Sequence, residues 1–173
     1  DFATILYQKG LYKQSLKILD KAKSFALKYD ENTSAYEIVE FEKLIESLYV
    51  TRSLSNRTNE LVSQTIHLKE QNDINSSLSN ISLQLYEKLI KAGYAKSDIE
   101  SNEIKKFFRQ KIQTFQVDKL GFREKLIYYQ IWVWYSLLIQ DFLSSYKYAS
   151  KWIDTFNKNP EMIKIHPVFY LKG

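Results

Sequence analysis

The strongest constraint on the fold is the spacing of apolar and small residues from Leu6 to Ala26, LYQKGLYKQSLKILDKAKSFA. Gly10 interrupts one helical run, and a glycine there gives the backbone the freedom a tight turn needs. The run that follows places Tyr12, Ser15, Leu16, Leu19, Ala22 and Ala26 on one stripe of a helix. Small Ser15 and Ala22 let a second helix approach closely. The stretch is therefore expected to be a helical hairpin, with one helix to about Lys9 and another from Tyr12 to about Tyr29.

The same period continues along the chain. Asp30, Glu31 and Asn32 break it, Thr33 or Ser34 is placed to cap the next helix, and Glu37 completes the spacing of a capping box with Ser34. Ile38, Phe41, Ile45 and Leu48 follow at helical intervals, with Glu37, Glu40, Glu42 and Glu46 read as a solvated face. A break is expected near Leu54, within Ser53 to Asn56. A helix through Leu61, Thr65 and Leu68 is expected to end near Gln71, where Asn72, Asp73 and Asn75 offer turn and cap chemistry. Ile74, Leu78, Ile81, Leu85 and Leu89 then mark a helix that Gly93 closes. Ser97 or Asp98 opens another, with Ile104, Phe108, Ile112 and Phe115 on one face, and Gly121 marks the next boundary. From Phe122 to Gln140 the chain is apolar nearly all round, so this helix should be the most enclosed. Phe142, Tyr146, Ala149, Trp152, Ile153 and Phe156 form a last amphipathic stripe, which Asn157 to Pro160 ends.

Composition agrees with an all-α fold. Hydrophobic residues make up 45% of 173 and aromatics 15%, which argues against disorder, while four Gly and two Pro are too few for a turn-rich β sandwich. With no Cys, disulfides, thiolate zinc sites and cysteine nucleophiles are excluded, in keeping with a cytoplasmic location. No signal peptide pattern is visible. The longest apolar run, Leu126 to Ile139, is interrupted by Gln130 and Ser136 and falls short of the roughly 20 residues a spanning helix needs, so no membrane association is expected. The chain opens at Asp1 without Met and ends at Gly173 just after a new segment begins. It reads as one domain over 1–173 from a longer protein, with Tyr7, Leu11, Phe169 and Tyr170 as apolar end residues through which copies could associate.

Gly10, Tyr12, a small residue at Ser15, a bulky one at Leu19 and Ala22 together resemble the second half of a tetratricopeptide repeat. Ser15 stands where the family prefers Ala, Leu19 where it prefers an aromatic, and Asp30 near the place where Pro closes the repeat. A second, weaker copy sets Phe142 on Tyr12, Ser145 on Ser15 and Tyr146 on Leu16, with Gln140 in place of the turn glycine and Trp152 in place of Ala22. The copies lie 130 positions apart, room for three helix pairs of about 43 residues against the 34 of the common unit. The resemblance implies a right-handed superhelix of about four helix pairs, like the repeat regions of some bacterial regulators, that holds a protein or peptide partner on its concave side. Carried over residue by residue, the groove positions are Thr4, Tyr7 and Gln8, then Gln130 and Trp134. Trp134 has two readings, partner contact and core.

Catalytic chemistry finds no foothold in the pattern, and no metal or cofactor is expected. His67 and His166 are the only imidazoles, far apart, and His67 with Glu70 offers two ligands at most. The four glycines punctuate helices or end the chain, so no phosphate loop or dinucleotide fingerprint exists. Charge says more. The net of +5 comes from residues 101–173, which hold twelve basic and six acidic side chains. Lys105, Lys106 and Arg109 project away from the Ile104, Phe108 and Ile112 stripe. They form a basic surface whose plain reading is solvation and whose functional reading is nucleic-acid phosphate contact over 105–125. The leading expectation is a non-catalytic interaction module, with a nucleic-acid-associated regulator as the alternative.

Overall fold

A computed structural model describes residues 2–48 and 54–172. About 85% of the chain is helical, with no strand among the described residues. The helices are α1 (Phe2–Gln8), α2 (Tyr12–Lys28), α3 (Asn32–Leu48), α4 (Leu54–Ala92), α5 (Asp98–Ile112), α6 (Phe122–Leu138), α7 (Phe142–Asn157), α8 (Met162–Ile165) and α9 (Pro167–Lys172). A short 3-10 turn, Val117–Lys119, lies between α5 and α6. The chain divides into two compact units, Asp1–Asp73 and Ile74–Gly173.

Three of the helix connections use one turn. After α1, the Gly10 N–H donates to the Tyr7 carbonyl at 2.9 Å and the Leu11 N–H to the Leu6 carbonyl at 2.9 Å. Asp30 and Glu31 repeat the pair after α2 (3.4 and 2.9 Å), as do Gln140 and Asp141 after α6 (3.0 and 2.8 Å). This is the Schellman closure, which needs a left-handed residue. Gly10 (φ 74°) supplies it without strain, whereas Asp30 (φ 57°) and Gln140 (φ 59°) adopt it with a side chain present. Gln140 is held there in part by its own amide, which donates to the Ala95 carbonyl at 2.9 Å.

The predicted start of α3 moves upstream. Asn32 is already helical, so Thr33 and Ser34 lie in the first turn, and the Glu31 carbonyl accepts from the Ala35 N–H at 3.0 Å. The predicted turn at Asn72, Asp73 and Asn75 is absent, because α4 runs unbroken for 39 residues. No Gly or Pro occurs between Leu54 and Ala92, and Asn or Asp inside a helix costs only tenths of a kcal/mol, roughly 0.7 at most. The Asn72 amide bonds to α3 instead, accepting from the Thr33 hydroxyl at 3.2 Å and donating to the Asn32 carbonyl. The boundary between the two units falls in the same place, at Asp73 and Ile74. α4 begins at Leu54, near which a break was expected; Ser55 and Asn56 are already helical, and Ser53 lies outside the described residues.

In the first unit, Ala3, Leu16, Leu19 and Ile45 form one core cluster, with Tyr7, Tyr12 and Phe41 against it. Ala26, Ala35, Val39, Leu61 and Leu68 form another. The Ser15 hydroxyl, fully buried, donates to the Ala3 carbonyl at 2.8 Å and fixes α1 on α2. Ala22, however, is exposed, and its neighbour Lys23 is buried. Lys23 is drawn inward by Glu42, which corrects the reading of Glu42 as solvated. That carboxylate is 0% exposed and accepts from Lys23 Nζ, while Arg57 Nη2 stands 3.2 Å from its other oxygen. Asp20 lies 3.8 Å from Lys23 and 3.3 Å from Arg57, and Glu60 3.1 Å from Arg57. Burial pushes the Glu42 carboxyl above its ordinary range against the pull of Lys23 and Arg57. Burial acts to lower the Arg57 value, but the Glu42, Glu60 and Asp20 carboxylates outweigh it and hold it above its usual level.

The second unit is centred on α6, which has no exposed residue, as its composition predicts. Phe108 is its aromatic anchor, stacked on Tyr135 at 3.7 Å between ring centroids and edge-on to Trp132 at 4.6 Å. Trp132 stacks in turn on Tyr148 of α7 at 4.6 Å. Ser97 caps α5 by accepting from the Glu100 N–H at 3.2 Å, and Asp141 caps α7 by accepting from the Ser144 N–H at 3.0 Å. Phe169 and Tyr170, expected as exposed ends, are half-buried: Phe169 packs on the core and Tyr170 meets Phe156 at 5.4 Å. Tyr7 is likewise half-buried, and Leu11 is exposed.

Candidate functional site

A groove of about 630 Å³ opens in the second unit, within the size range of ligand pockets. Two helices build it. α4 contributes Asn75, Ser79, Ser82 and Tyr86, and α6 contributes Arg123, Ile127, Gln130 and Trp134, both sets advancing by four, three and four positions along one helix face. The Ser82 hydroxyl donates to Gln130 Oε1 at 3.4 Å, across 48 positions. Tyr86 meets Trp134 at 5.4 Å between centroids, at the same sequence offset, so the two helices run parallel and in register. Leu83, Trp152 of α7, and Phe169 and Lys172 of α9 complete the lining.

This arrangement brings Gln130 and Trp134 together on one wall. The Gln130 amide, isolated in an apolar helix, has its partner in Ser82. Trp134 is half-buried: it packs against the core cluster and also lines the groove. Two further polar atoms on the lining are buried without a hydrogen-bond partner among the described residues, Asn75 Oδ1 and the indole N–H of Trp152. One can accept and the other donate, so the groove offers both functions to an occupant. No Asp or Glu lies among the described lining residues, whereas Arg123 and Lys172 do.

The other groove positions lie on α1, in the first unit. Thr4 is half-buried, Gln8 is exposed, and Tyr7 packs against Phe41 at 5.4 Å and Tyr12 at 5.8 Å. The structure thus directs Tyr7 into the core cluster of α1 and α2. The basic residues are gathered as their spacing predicts: Lys105, Lys106 and Arg109 line a hollow of about 360 Å³ on α5 together with Asn102, Gln110 and Gln113. His67 is exposed, and His166 is buried against Phe122 at 5.9 Å. No cluster of three or more His, Cys, Asp or Glu able to hold a metal ion occurs among the described residues. Among them, no helix is long and apolar enough to cross a membrane. Burial raises the Tyr129, Tyr135 and Tyr148 hydroxyls above their ordinary value, as suits rings used for packing.

Sequence reasoning missed Asn75, Ser82, Tyr86, Arg123 and Lys172 as lining residues. The signal for Asn75, Ser82 and Tyr86 is a helical stripe one position beyond the core stripe Ile74, Leu78, Ile81 and Leu85, which hydropathy alone reads as solvated. The chain matches no protein-family model, no curated protein and no solved structure.

Proposed function

We propose that the protein is a non-catalytic interaction module of tetratricopeptide-like helical hairpins, which holds a segment of a protein partner in the groove between α4 and α6. The observation that carries this reading is the parallel, in-register pairing of these two helices, at Ser82 with Gln130 and Tyr86 with Trp134. In stacked hairpin repeats the first helices of successive pairs run parallel and form the binding face. The shared Schellman turns after α1, α2 and α6 and the placement of Gln130 and Trp134 on the wall support it further. Absence of Cys suits a cytoplasmic setting. Peptide selection against the immobilised protein, followed by calorimetry, tests the reading. Selected peptides should lose at least about tenfold in affinity with Trp134→Ala or Gln130→Ala in folded protein, a loss of about 1.4 kcal/mol. Undiminished binding by both variants refutes it.

One observation favours a second reading. Lys105, Lys106 and Arg109 surround their hollow with amides and no ion-pair partner among the described residues, an arrangement suited to nucleic-acid phosphates. Oligonucleotide affinity that falls steeply with salt, and less steeply in Lys106→Ala, supports this alternative. Salt-independent binding removes it.

A further inference from the structure

We infer that the segment held in this groove is an amphipathic α-helix of about three turns, laid along α4 by large apolar side chains three and four residues apart. The inference rests on the interaction reading above and specifies the partner's conformation and side chains. It starts from a spacing in α4. Leu61, Thr65, Leu68 and Asn72 advance by four, three and four positions. A step of three then leads to Asn75, Ser79, Ser82 and Tyr86, which advance in the same way. Alternating steps of four and three make the heptad spacing with which one helix receives another.

Within the first unit a helix takes up this spacing. Leu61 and Leu68 are buried in one cluster with Ala35 and Val39 of α3, and the Asn72 amide bonds to the Thr33 hydroxyl and the Asn32 carbonyl at the start of α3. Further along, Glu42 meets Arg57 at 3.2 Å, so α3 runs antiparallel along α4. Within the second unit the same spacing lines the groove, where Ser79, Leu83 and Tyr86 remain exposed.

The lining suits an apolar stripe. Leu83, Tyr86, Ile127, Trp134 and Phe169 give it apolar walls. The Ser79 hydroxyl donates to the Ser76 carbonyl at 3.0 Å and the Ser82 hydroxyl to Gln130 Oε1 at 3.4 Å. Apolar side chains laid over these serines therefore strand neither hydroxyl proton. Leu61 and Leu68 are matched by the smaller Ala35 and Val39; the smaller Ser79 and Ser82 leave depth for larger partner side chains. Length agrees as well. The eleven helical steps from Asn75 to Tyr86 span about 16 Å, or about three turns. A helical occupant of that length presents four side chains on one face, at i, i+4, i+7 and i+11.

Fluorescein-labelled peptides of about sixteen residues, blocked at both ends, test this by fluorescence anisotropy on the whole chain. The first carries Leu at i, i+4, i+7 and i+11 among Glu, Lys and Ala of zero net charge. A second has the same composition with Leu at alternate positions, and a third keeps the stripe but has Pro at a central position off it. The first should bind at least tenfold more tightly than the other two, and circular dichroism should show it gaining helix on binding. Ser79→Arg, at an exposed lining residue, should remove that binding with an unchanged melting temperature. Ser77→Arg, exposed on the same helix and absent from the lining, should leave it intact. Equal binding of the alternating or the proline peptide overturns the inference, by showing an occupant that need not be helical, while leaving a peptide groove in place. Equal effects of the two arginine variants overturn it as well, by placing the helix elsewhere on the surface. Copies of the chain that associate in sedimentation and separate with Ser79→Arg overturn it in favour of self-assembly. If none of these peptides binds, peptides selected against the immobilised protein decide: Trp134-dependent ligands that carry the stripe uphold the inference, and those without it sink the inference alone. If no selected peptide depends on Trp134 or Gln130, the interaction reading falls with it.

Discussion

The cluster around Glu42 gives the sharpest energetic test. Glu42→Ala removes a fully buried side chain and leaves Lys23, itself 6% exposed, with Asp20 at 3.8 Å as its one remaining carboxylate among the described residues. Stranding a buried charge in this way costs about 3 to 5 kcal/mol. A solvated carboxylate, as the pattern of the helix suggests, would cost about 0 to 1 kcal/mol. Glu42→Gln separates charge from shape: its carbonyl still accepts from Lys23 Nζ and its volume is unchanged, so the loss should stay within about 1.5 kcal/mol, the worth of one ordinary hydrogen bond. The pH dependence follows from the direction of the Glu42 shift. Its carboxyl lies above the ordinary range when folded, so in that window the native state binds more protons than the unfolded chain. Wild-type stability from this group is therefore full below the ordinary carboxylate value and declines as pH rises through the folded value. Glu42→Gln lacks this term, and should gain on wild type as pH rises above the ordinary carboxylate range. Urea unfolding followed by circular dichroism at several pH values measures all three proteins. A Glu42→Ala loss below about 1 kcal/mol, or a Gln-to-wild-type difference that ignores pH, would refute the reasoning.

Other outcomes follow from single contacts. Ser76→Pro, inside the unbroken part of α4, should cost about 3 kcal/mol or more, while Ser76→Ala should stabilise by a few tenths; thermal melts showing proline tolerated would restore the turn. At left-handed Gln140, Gly should be about 1 kcal/mol more stable than Ala, the reverse of helix-interior preference, because both lose the bond to Ala95 and only Ala keeps the backbone strain. Phe108→Ala, which removes a side chain 2% exposed and stacked on Tyr135, should cost about 3 to 5 kcal/mol in chemical denaturation.

The elements legible in the sequence are those whose apolar stripe is complete and whose ends are marked by residues of one conformation. Gly10 and Gly93 closed helices where expected, Ser97 capped α5, and the continuous apolarity of 122–139 foretold the enclosure of α6. The Asn72 to Asn75 turn misled because Asn and Asp promise turns only when their side chains stay local. Asn72 is engaged by the start of α3, a contact 39 and 40 positions distant that no window of sequence contains.

The rest was hidden for a related reason. Asn75, Ser79, Ser82 and Tyr86 each follow by one position a core residue, Ile74, Leu78, Ile81 or Leu85, and Glu42 follows Phe41 in the same way. One position turns a helix by about 100°, from the core to its flank. Whether that flank meets water or another helix depends on tertiary neighbours, and polar residues look alike in both cases. At Glu42 the flank meets Lys23 and Arg57, and the outcome is a buried ion cluster. On α4 it faces the matching flank of α6 across a groove about 630 Å³ in volume, so its polar residues are neither fully solvated nor fully paired. Under the proposed interaction reading, that intermediate state leaves donors and acceptors oriented by rigid helices with capacity for a partner.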